Sequence, residues 1–321
     1  MKILLATRSE TVFSNYQTIV EELLADGHTV RILFDQMWSA SNRSPMLDSL
    51  LVEHSKFETG WLAKRPRVMR RISFILQEFR SLSSYHLRDG GHQYYEERQR
   101  KYFLGSLPSW VRIIVQPDVI VRTMAQSNSL FRIAGLIDSS LPVSGAIKSD
   151  IEAFAPDLIL ATPTNLRYSN EPEYLRVGNS LGIPTVICTL TWDNLTTKGH
   201  IPVIPKCLFT WNNTQAKEAR EIHRIPSNTI RVTGSPTFDK WLDQELEPMQ
   251  RQEFESVTQL APDTRFILYM GSSANIAGDE GHLPVDLADN LASVLGPGLA
   301  GLKILVRPSP ATVSIRPRHF R

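Results

Sequence analysis

The sequence has little that points to a secreted or membrane-spanning protein. Its 321 residues include two cysteines, Cys188 and Cys207, and both lie in apolar runs. Such cysteines are typical of small core residues in a reducing compartment. No apolar run approaches the ~18 residues of a membrane span, and the N-terminal run reaches Arg8 too soon for a signal peptide. The sequence therefore predicts a cytoplasmic protein.

Several motifs of known chemistry are absent too. The first predicted turn reads Thr7-Arg8-Ser9-Glu10 in place of a G-x-G-x-x-G, and there is no P-loop and no G-x-S-x-G. The eight histidines show no H-E-x-x-H or H-x-H spacing, so we predict neither a metal nor a cofactor. The net charge of +2 gives no argument for a nucleic-acid partner, and we predict none.

What the chain does contain is an alternation of short apolar runs with helical patterns. The runs predict buried strands at 2–6, 29–34, 158–162, 184–190, 205–211 and 229–233. Strands that alternate with helices are typical of a mostly parallel sheet with helices on both faces. The predicted fold class is therefore α/β, with a Rossmann-like, doubly wound parallel sheet.

Residues 40–110 interrupt this alternation and contain no clear strand. Apolar residues there recur at helical intervals, and Glu53 to Lys101 carries eleven Lys or Arg against six Asp or Glu. One interpretation is a basic helical insertion that meets an anionic membrane surface or a phosphorylated acceptor. The other is a solvated helical excursion with its positive face outward. A further short strand is predicted at Ile113 to Val121, although Pro117 lies inside it.

Two domains are predicted. The first spans 1–243 and includes the helical insertion at about 40–110. A polar helix at 244–260 resembles a linker. Residues 261–321 supply two strands and one helix, which is too little for a stable domain, so we expect an incomplete second α/β domain.

The best site signal lies between Ile183 and Asp239, where polar or small residues follow three predicted strands. Loops at the carboxyl ends of parallel strands form the ligand crevice of such sheets. In these loops an Asp, an Asn and a Trp could bind and stack on a sugar, or could simply build the turns. The candidate substrate-binding residues are Trp192, Asn194, Lys198, Trp211, Gly234 and Ser235.

A second group of candidates lies in the C-terminal part. Small residues follow the strand FILYM, and an arginine ends the last strand. Free N–H groups in such a loop can hold a diphosphate, and an arginine can pair with it. The candidate donor-phosphate residues are Gly271, Ser272, Ser273 and Arg307.

The segment MKILLATRSETVFSNYQTIVEELLADGHTVRILF resembles the opening of two-domain glycosyltransferases of the GT-B type. The segments TWDNLTTKGHIP, CLFTWNNTQAKEA and IRVTGSPTFDKW are similar to a bacterial group of GT-B-like proteins. That group is related in pattern to capsule and teichoic-acid transferases that use CDP-glycerol, and more distantly to UDP-N-acetylglucosamine 2-epimerases. In those relatives a V-x-G-x-P-x-x-D element closes the first domain, here from Val232 to Asp239.

The resemblance implies an activity. The N-terminal domain would bind a cell-envelope polysaccharide or glycolipid, and the C-terminal domain a nucleotide-activated sugar or glycerol phosphate. An acceptor hydroxyl would attack without a metal, a carboxylate such as Asp193 or Glu10 would take its proton, and helix N-termini after Gly234 and Gly271 would stabilise the phosphate charge. Membrane association through 53–101 is a further expectation.

Two departures from the relatives leave alternatives open. Ser309 stands where these transferases carry the histidine of Arg-Pro-His-Pro, and the downstream donor-binding part is missing. We therefore expect a truncated C-terminal domain. The alternatives are a non-catalytic GT-B-like binding protein or inactive fragment, and an enzyme like the UDP-sugar 2-epimerases.

Overall fold

The computed structural model describes residues 1–38, 44–88, 92–242, 249–272, 280–295 and 301–308. The chain divides into two compact units, 1–243 and 244–321. The helices are α1 Glu10–Phe13, α2 Gln17–Ala25, α3 Pro45–Glu53, α4 Arg67–His86, α5 Gln93–Ser106, α6 Ser109–Val115, α7 Asp118–Ala125, α8 Asn128–Ser140, α9 Gly145–Phe154, α10 Glu171–Ser180, α11 Asn194–Thr197, α12 Asn213–Glu221, α13 Asp239–Leu242, α14 Arg251–Thr258 and α15 Leu283–Leu295.

The first unit is built on a seven-stranded sheet in which every neighbouring pair of strands is parallel. Its order is β3-β2-β1-β4-β5-β6-β7. The strand order reverses between the first and fourth strands, which is where ligands bind in open sheets of this kind. The predicted α/β fold with a doubly wound parallel sheet is confirmed. The strands are β1 Lys2–Thr7, β2 Thr29–Phe34, β3 Phe57–Trp61, β4 Leu158–Thr162, β5 Thr185–Cys188, β6 Cys207–Thr210 and β7 Ile230–Val232.

The central strands are continuously apolar because both of their faces are covered. In β1 every residue from Ile3 to Thr7 is buried, and its side chains alternate between two cores. Ile3 and Leu5 pack with Phe13 and residues of α2, whereas Leu4 and Ala6 pack with residues of α9 and α10. The sheet thus lies between two helical layers, and the carboxyl ends of its strands meet at one edge.

Two expectations for the middle of the chain were wrong. Residues 40–110 do contain a strand, β3, which pairs with β2 at the sheet edge. Its sequence, FETGW, carries little apolar signal because only Phe57 is buried. The strand predicted at Ile113 to Val121 is instead the helices α6 and α7, which are separated at Pro117. Proline lacks an N–H group, so it ends one helix and precedes the first turn of the next.

The helical region between β3 and β4 has its own core. Helices α4, α5, α7 and α8 bury a cluster made of Phe79, Leu82, Phe103, Leu104, Val121, Ala125 and Ala134. A salt bridge ties this region to the sheet, because Arg176 of α10 donates to the buried carboxylate of Asp138 in α8 at 2.8 Å. The insertion is therefore packed firmly on the sheet domain.

The second unit contains a two-stranded parallel sheet made of β8 Phe266–Met270 and β9 Lys303–Arg307. Within the segment predicted as a linker helix, α14 covers Arg251–Thr258, and residues 244–248 lie outside the described residues. The roles assigned to the two domains stay predictions.

Candidate functional site

Two charged side chains and one amide, from the loops after three strands, meet beside the point where the strand order reverses. Asp35 directly follows β2 and is fully buried. Lys64, which follows β3, donates to one Asp35 oxygen at 2.9 Å, and Asn170, from the loop after β4, donates to the other. Burial opposes ionisation of Asp35, but the hydrogen bonds from Met37, Lys64 and Asn170 outweigh it and lower the pKa. Asp35 therefore stays ionised and fixes the other two side chains.

Arg8 and Glu171 form the second part of this crevice. Arg8 follows β1, donates to the Arg167 carbonyl at 2.6 Å and lies 4.0 Å from the ring centre of Trp38. Glu171, the first residue of α10, is fully buried, and burial raises its pKa to about 8 despite the opposing charge of Arg8. Glu171 is therefore mostly protonated at neutral pH. The crevice combines a fixed anion, two fixed cations and a carboxylic acid that holds its proton.

None of these five residues was among the site residues predicted from the sequence. The signal for Asp35 was present, because a lone acid directly follows the apolar run at 29–34. Lys64 could not be found in this way, because β3 was not recognised as a strand. Asn170 and Glu171 lie in the loop and first helical turn after β4, where their sequence context is typical of a helix start.

The three loops that the sequence did select lie together at the same edge of the sheet. The Trp211 indole N–H donates to the Thr189 carbonyl at 3.0 Å, and its ring lies 5.7 Å from the ring of Phe238. Gln215 donates to the carbonyl groups of Thr191 and Trp192. Trp211 is therefore half-buried between neighbouring loops and supports their shape.

Within the first of these loops, Asp193 is held by its neighbours. Its carboxylate accepts hydrogen bonds from Thr191 and Thr197 at 2.7 Å each and from Lys198 at 3.2 Å. Burial opposes ionisation, but the threonine hydroxyls and the charge of Lys198 outweigh it, so the pKa of Asp193 lies below its usual value. An acid of this kind is a weak proton acceptor near neutral pH.

The adjacent Asn194 is buried. It accepts from the Leu190 N–H at 3.3 Å and donates to the Asn165 side chain at 2.9 Å, and Asn165 returns a bond to the Asn194 carbonyl at 2.8 Å. This reciprocal pair fixes the loop. Trp192, by contrast, is 75 % exposed, so its ring face is open for stacking against a ligand.

Glu10, the other predicted proton acceptor, lies in the first turn of α1 directly after β1. One of its carboxylate oxygens accepts the backbone N–H of Ser44 at 2.7 Å, and the side chain is only partly buried. It shares the β1 loop with Arg8. Of the two predicted carboxylates, Glu10 is therefore the one at the point where the strand order reverses.

The Gly234-Ser235 loop forms a tight turn. Gly234 has φ +85°, which a residue with a side chain adopts only at a cost. The helix expected after it is one 3₁₀ turn at Pro236–Phe238, followed by the four residues of α13. Elements this short add little dipole, so the anion site expected at this helix start has weak physical support.

In the second unit, the loop after β8 is already hydrogen bonded. The Gly271 N–H donates to the Arg307 carbonyl at 2.8 Å, and the Ser272 N–H donates to the carboxylate of Glu280. A carboxylate thus occupies the position where a diphosphate was expected. Arg307 is exposed, and Ser273 and Ser309 lie outside the described residues.

Comparisons with known proteins give little guidance. No family model matches the chain, and no curated protein does. Among solved structures, a glycosyltransferase from Rickettsia africae ESF-5 aligns with a TM-score of 0.41 and 10% sequence identity, over 96% of this chain and 69% of that chain. A likeness of this extent decides neither family nor function.

Proposed function

We propose that the chain is a glycosyltransferase-like protein that moves a sugar or glycerol phosphate from a nucleotide-activated donor to a cell-envelope acceptor. The observation that supports this most is the crevice beside the β1/β4 reversal, where Arg8, Asp35, Lys64 and Asn170 are held in fixed positions. Fixed donors and acceptors of both signs suit a ligand with many hydroxyl groups. The crevice is therefore the proposed acceptor side.

When a sugar is transferred, an acceptor oxygen bonds to the anomeric carbon of the donor, the bond from that carbon to the nucleoside diphosphate breaks, and the diphosphate leaves with the electron pair. When glycerol phosphate is transferred, the acceptor oxygen bonds to its phosphorus, and the nucleoside monophosphate leaves with the electron pair. The acceptor proton passes to the carboxylate of Glu10, which is partly exposed, rather than to Asp193, whose charge Lys198 already stabilises.

An apolar surface on α6, α7 and α8 supports a lipid-linked acceptor. No residue of α6 is buried, and Trp110, Ile113 and Ile114, at helical spacing, are all exposed. The next two helices, α7 and α8, also expose large apolar residues: Val119, Ile120, Leu130, Ile133, Leu136 and Ile137. Arg112, Arg122 and Arg132 are exposed among these residues.

This combination suits the surface of an anionic bilayer, because apolar groups enter the interface and arginines pair with lipid phosphates. We therefore propose membrane contact through 109–137 rather than through 53–101, where it was expected. In the part of the chain that the structure describes, no single helix could cross a bilayer. Asn128–Ser140 and Gly145–Phe154 reach the required length and apolarity only together, and they meet at 61°.

Release of nucleotide from a panel of UDP-, GDP- and CDP-activated donors, with acceptor lipid in vesicles, tests the proposal. We expect one donor to be consumed only when acceptor is present. Glu10→Gln, which keeps an oxygen for the Ser44 N–H, should lower turnover about 10²-fold or more while acceptor binding persists. If no donor is bound or consumed, the transferase proposal is wrong; if Glu10→Gln has full activity, the assignment of the proton acceptor is wrong.

A non-catalytic binding protein is the second candidate. The observation that favours it is the loop after β8, whose Gly271 and Ser272 N–H groups already have partners and whose neighbour Glu280 would repel a diphosphate. Such a protein would bind the acceptor and leave every donor intact. The same panel therefore separates the two candidates.

A further inference from the structure

A strongly basic pocket of about 300 Å³ lies between the start of α4 and the loop after β4. Its lining includes the five cations Lys64, Arg65, Arg67, Arg70 and Arg71. The one acid in the lining is Glu173, which is shared between Arg65 at 2.9 Å and Arg176 at 3.6 Å. Lys64 also has a carboxylate partner, Asp35, so the net positive charge of the pocket comes from the three arginines of α4.

Arg65 contributes a buried guanidinium group to this pocket. It is 3% exposed, and of its three guanidinium nitrogens Nη2 faces Glu173. Nε and Nη1 have no hydrogen-bond partner among the residues that the structure describes. A buried cation with unused donors is costly unless a ligand completes its shell. Burial lowers the pKa of Arg65, and the negative charge of Glu173 opposes this effect. The guanidinium group therefore remains charged.

The start of α4 adds a second, independent indication. Arg67, Arg70 and Arg71 lie in the first two turns of this 20-residue helix, which has no acid in its first turn. No carboxylate of the described residues lies within ion-pair distance of any of the three. The positive end of a helix dipole disfavours cations and favours anions. These three arginines are exposed, so their guanidinium groups are accessible to an anionic ligand at this end of the helix.

The pocket also has two aromatic residues in its lining, one on α4 and one in the loop after β4. Phe74 and Tyr168 both line it and stack with ring centres 4.9 Å apart. Tyr168 has φ +63°, an unfavourable value for a residue with a large side chain. Tyr168 is nevertheless 44% exposed, so part of its ring can contact the apolar face of a sugar beside a charged group.

The pocket opens next to the crevice at the β1/β4 reversal. Lys64 and Asn170 line the pocket, and both donate to Asp35 in the crevice. A ligand whose phosphate lay among the arginines would therefore extend its attached group toward the proposed reacting position.

We propose that this pocket binds the phosphate ester of the acceptor, so that the acceptor is a sugar or lipid that carries a phosphate. The term acceptor rests on the proposed function, whereas the phosphate site rests on the pocket alone. A phosphate ester carries about −1.5 to −2 charges and accepts several hydrogen bonds, which matches the donors of Arg65 and the α4 arginines.

Binding of phosphate esters to the full chain tests the inference. Glucose 1-phosphate and dodecyl phosphate in micelles distinguish a free sugar from a lipid as the carrier, and glucose and dodecyl maltoside are the uncharged counterparts. Arg70→Gln/Arg71→Gln should weaken ester binding about 10²-fold, because it removes two positively charged hydrogen-bond donors from the pocket. Arg220→Gln, at an exposed arginine on α12, is the matched control and should leave binding unchanged.

The inference is overturned if neither ester binds, or if Arg70→Gln/Arg71→Gln and Arg220→Gln bind the esters equally. It is also overturned if UDP occupies the pocket more tightly than both esters, because the site would then belong to the donor. Ester binding together with an inactive donor panel would leave the phosphate site intact and remove only the transferase proposal.

Discussion

Glu171 offers the sharpest physical test of the site. This carboxyl is fully buried in the crevice, and burial raises its pKa to about 8 from an ordinary value of 4.5. The folded protein therefore keeps a proton that the unfolded chain releases above pH 4.5. Folding takes up that proton between about pH 4.5 and 8, so stability must fall as the pH rises through this window. Glu171→Gln removes the titration and preserves the shape of the side chain.

The expected size follows from the shift. One pKa unit corresponds to about 1.4 kcal/mol. Between pH 5 and pH 8 the wild-type chain should lose about 3–4 kcal/mol of stability through Glu171 alone. Glu78, whose burial raises its pKa to about 7 despite the charge of Arg167, adds to the decline in both proteins. The difference between Glu171→Gln and wild type isolates the single residue.

Urea unfolding followed by circular dichroism at pH 5, 6, 7 and 8 measures this difference. We expect the free energy of unfolding of Glu171→Gln to rise relative to that of wild type as the pH increases. The difference between the two proteins should be about 3–4 kcal/mol more favourable to the variant at pH 8 than at pH 5. Glu152→Gln changes an exposed carboxyl on α9 and serves as the control. A stability difference between Glu171→Gln and wild type that is constant across the four pH values would show that Glu171 is ionised in the folded protein, and the description of the crevice would be wrong.

Three further predictions follow from other parts of the first unit. Asp138→Ala should cost about 3–5 kcal/mol of unfolding free energy at pH 7, because the buried Arg176 then loses its closer carboxylate and keeps its longer contact to Glu173, at 3.6 Å. A loss below about 1 kcal/mol in urea unfolding would contradict the buried pair. Burial lowers the pKa of His223 to about 4, so the protein should lose stability as the pH falls from 6.5 toward 4, by about 2–3 kcal/mol at pH 4.5. In urea unfolding, His223→Gln should lose less stability than wild type over this pH range, and an equal loss would refute the prediction. Trp110→Ser should weaken co-sedimentation with anionic vesicles about tenfold, whereas Val52→Ser, at an exposed valine on α3, should not. Equal sedimentation of the two variants would contradict the proposed membrane contact through 109–137.

The parts of the fold that the sequence predicted correctly are those where burial fixes the composition. β1, β2 and β4 are covered on both faces, so their runs are apolar almost throughout and mark the strands clearly. β3 lies at the sheet edge with one buried residue, and nothing in FETGW separates it from a loop. In α6, by contrast, apolar residues face solvent, so the run IIV before Pro117 imitated a buried strand.

The site residues could be predicted only where they follow strands that are recognisable in the sequence. Trp192 and Trp211 were selected because they follow strands that the sequence marked. The Asp35, Lys64 and Asn170 network joins positions far apart in the chain, and its existence depends on which strands are neighbours. Strand order is a tertiary property that local patterns do not contain. For the basic pocket, the sequence showed only an excess of positive charge over 53–101. It did not show that Arg65 is buried.

The pairing of β1 with β4 joins Ile3 to Leu158 across most of the first unit. A ribosome adds about 5–20 residues each second, so β4 is synthesised roughly 10–30 s after β1. During that time one edge of an almost wholly apolar strand has no partner and can pair with other nascent chains. Production of this protein should consequently depend on chaperones that shield its amino-terminal strand until synthesis has passed the fourth one.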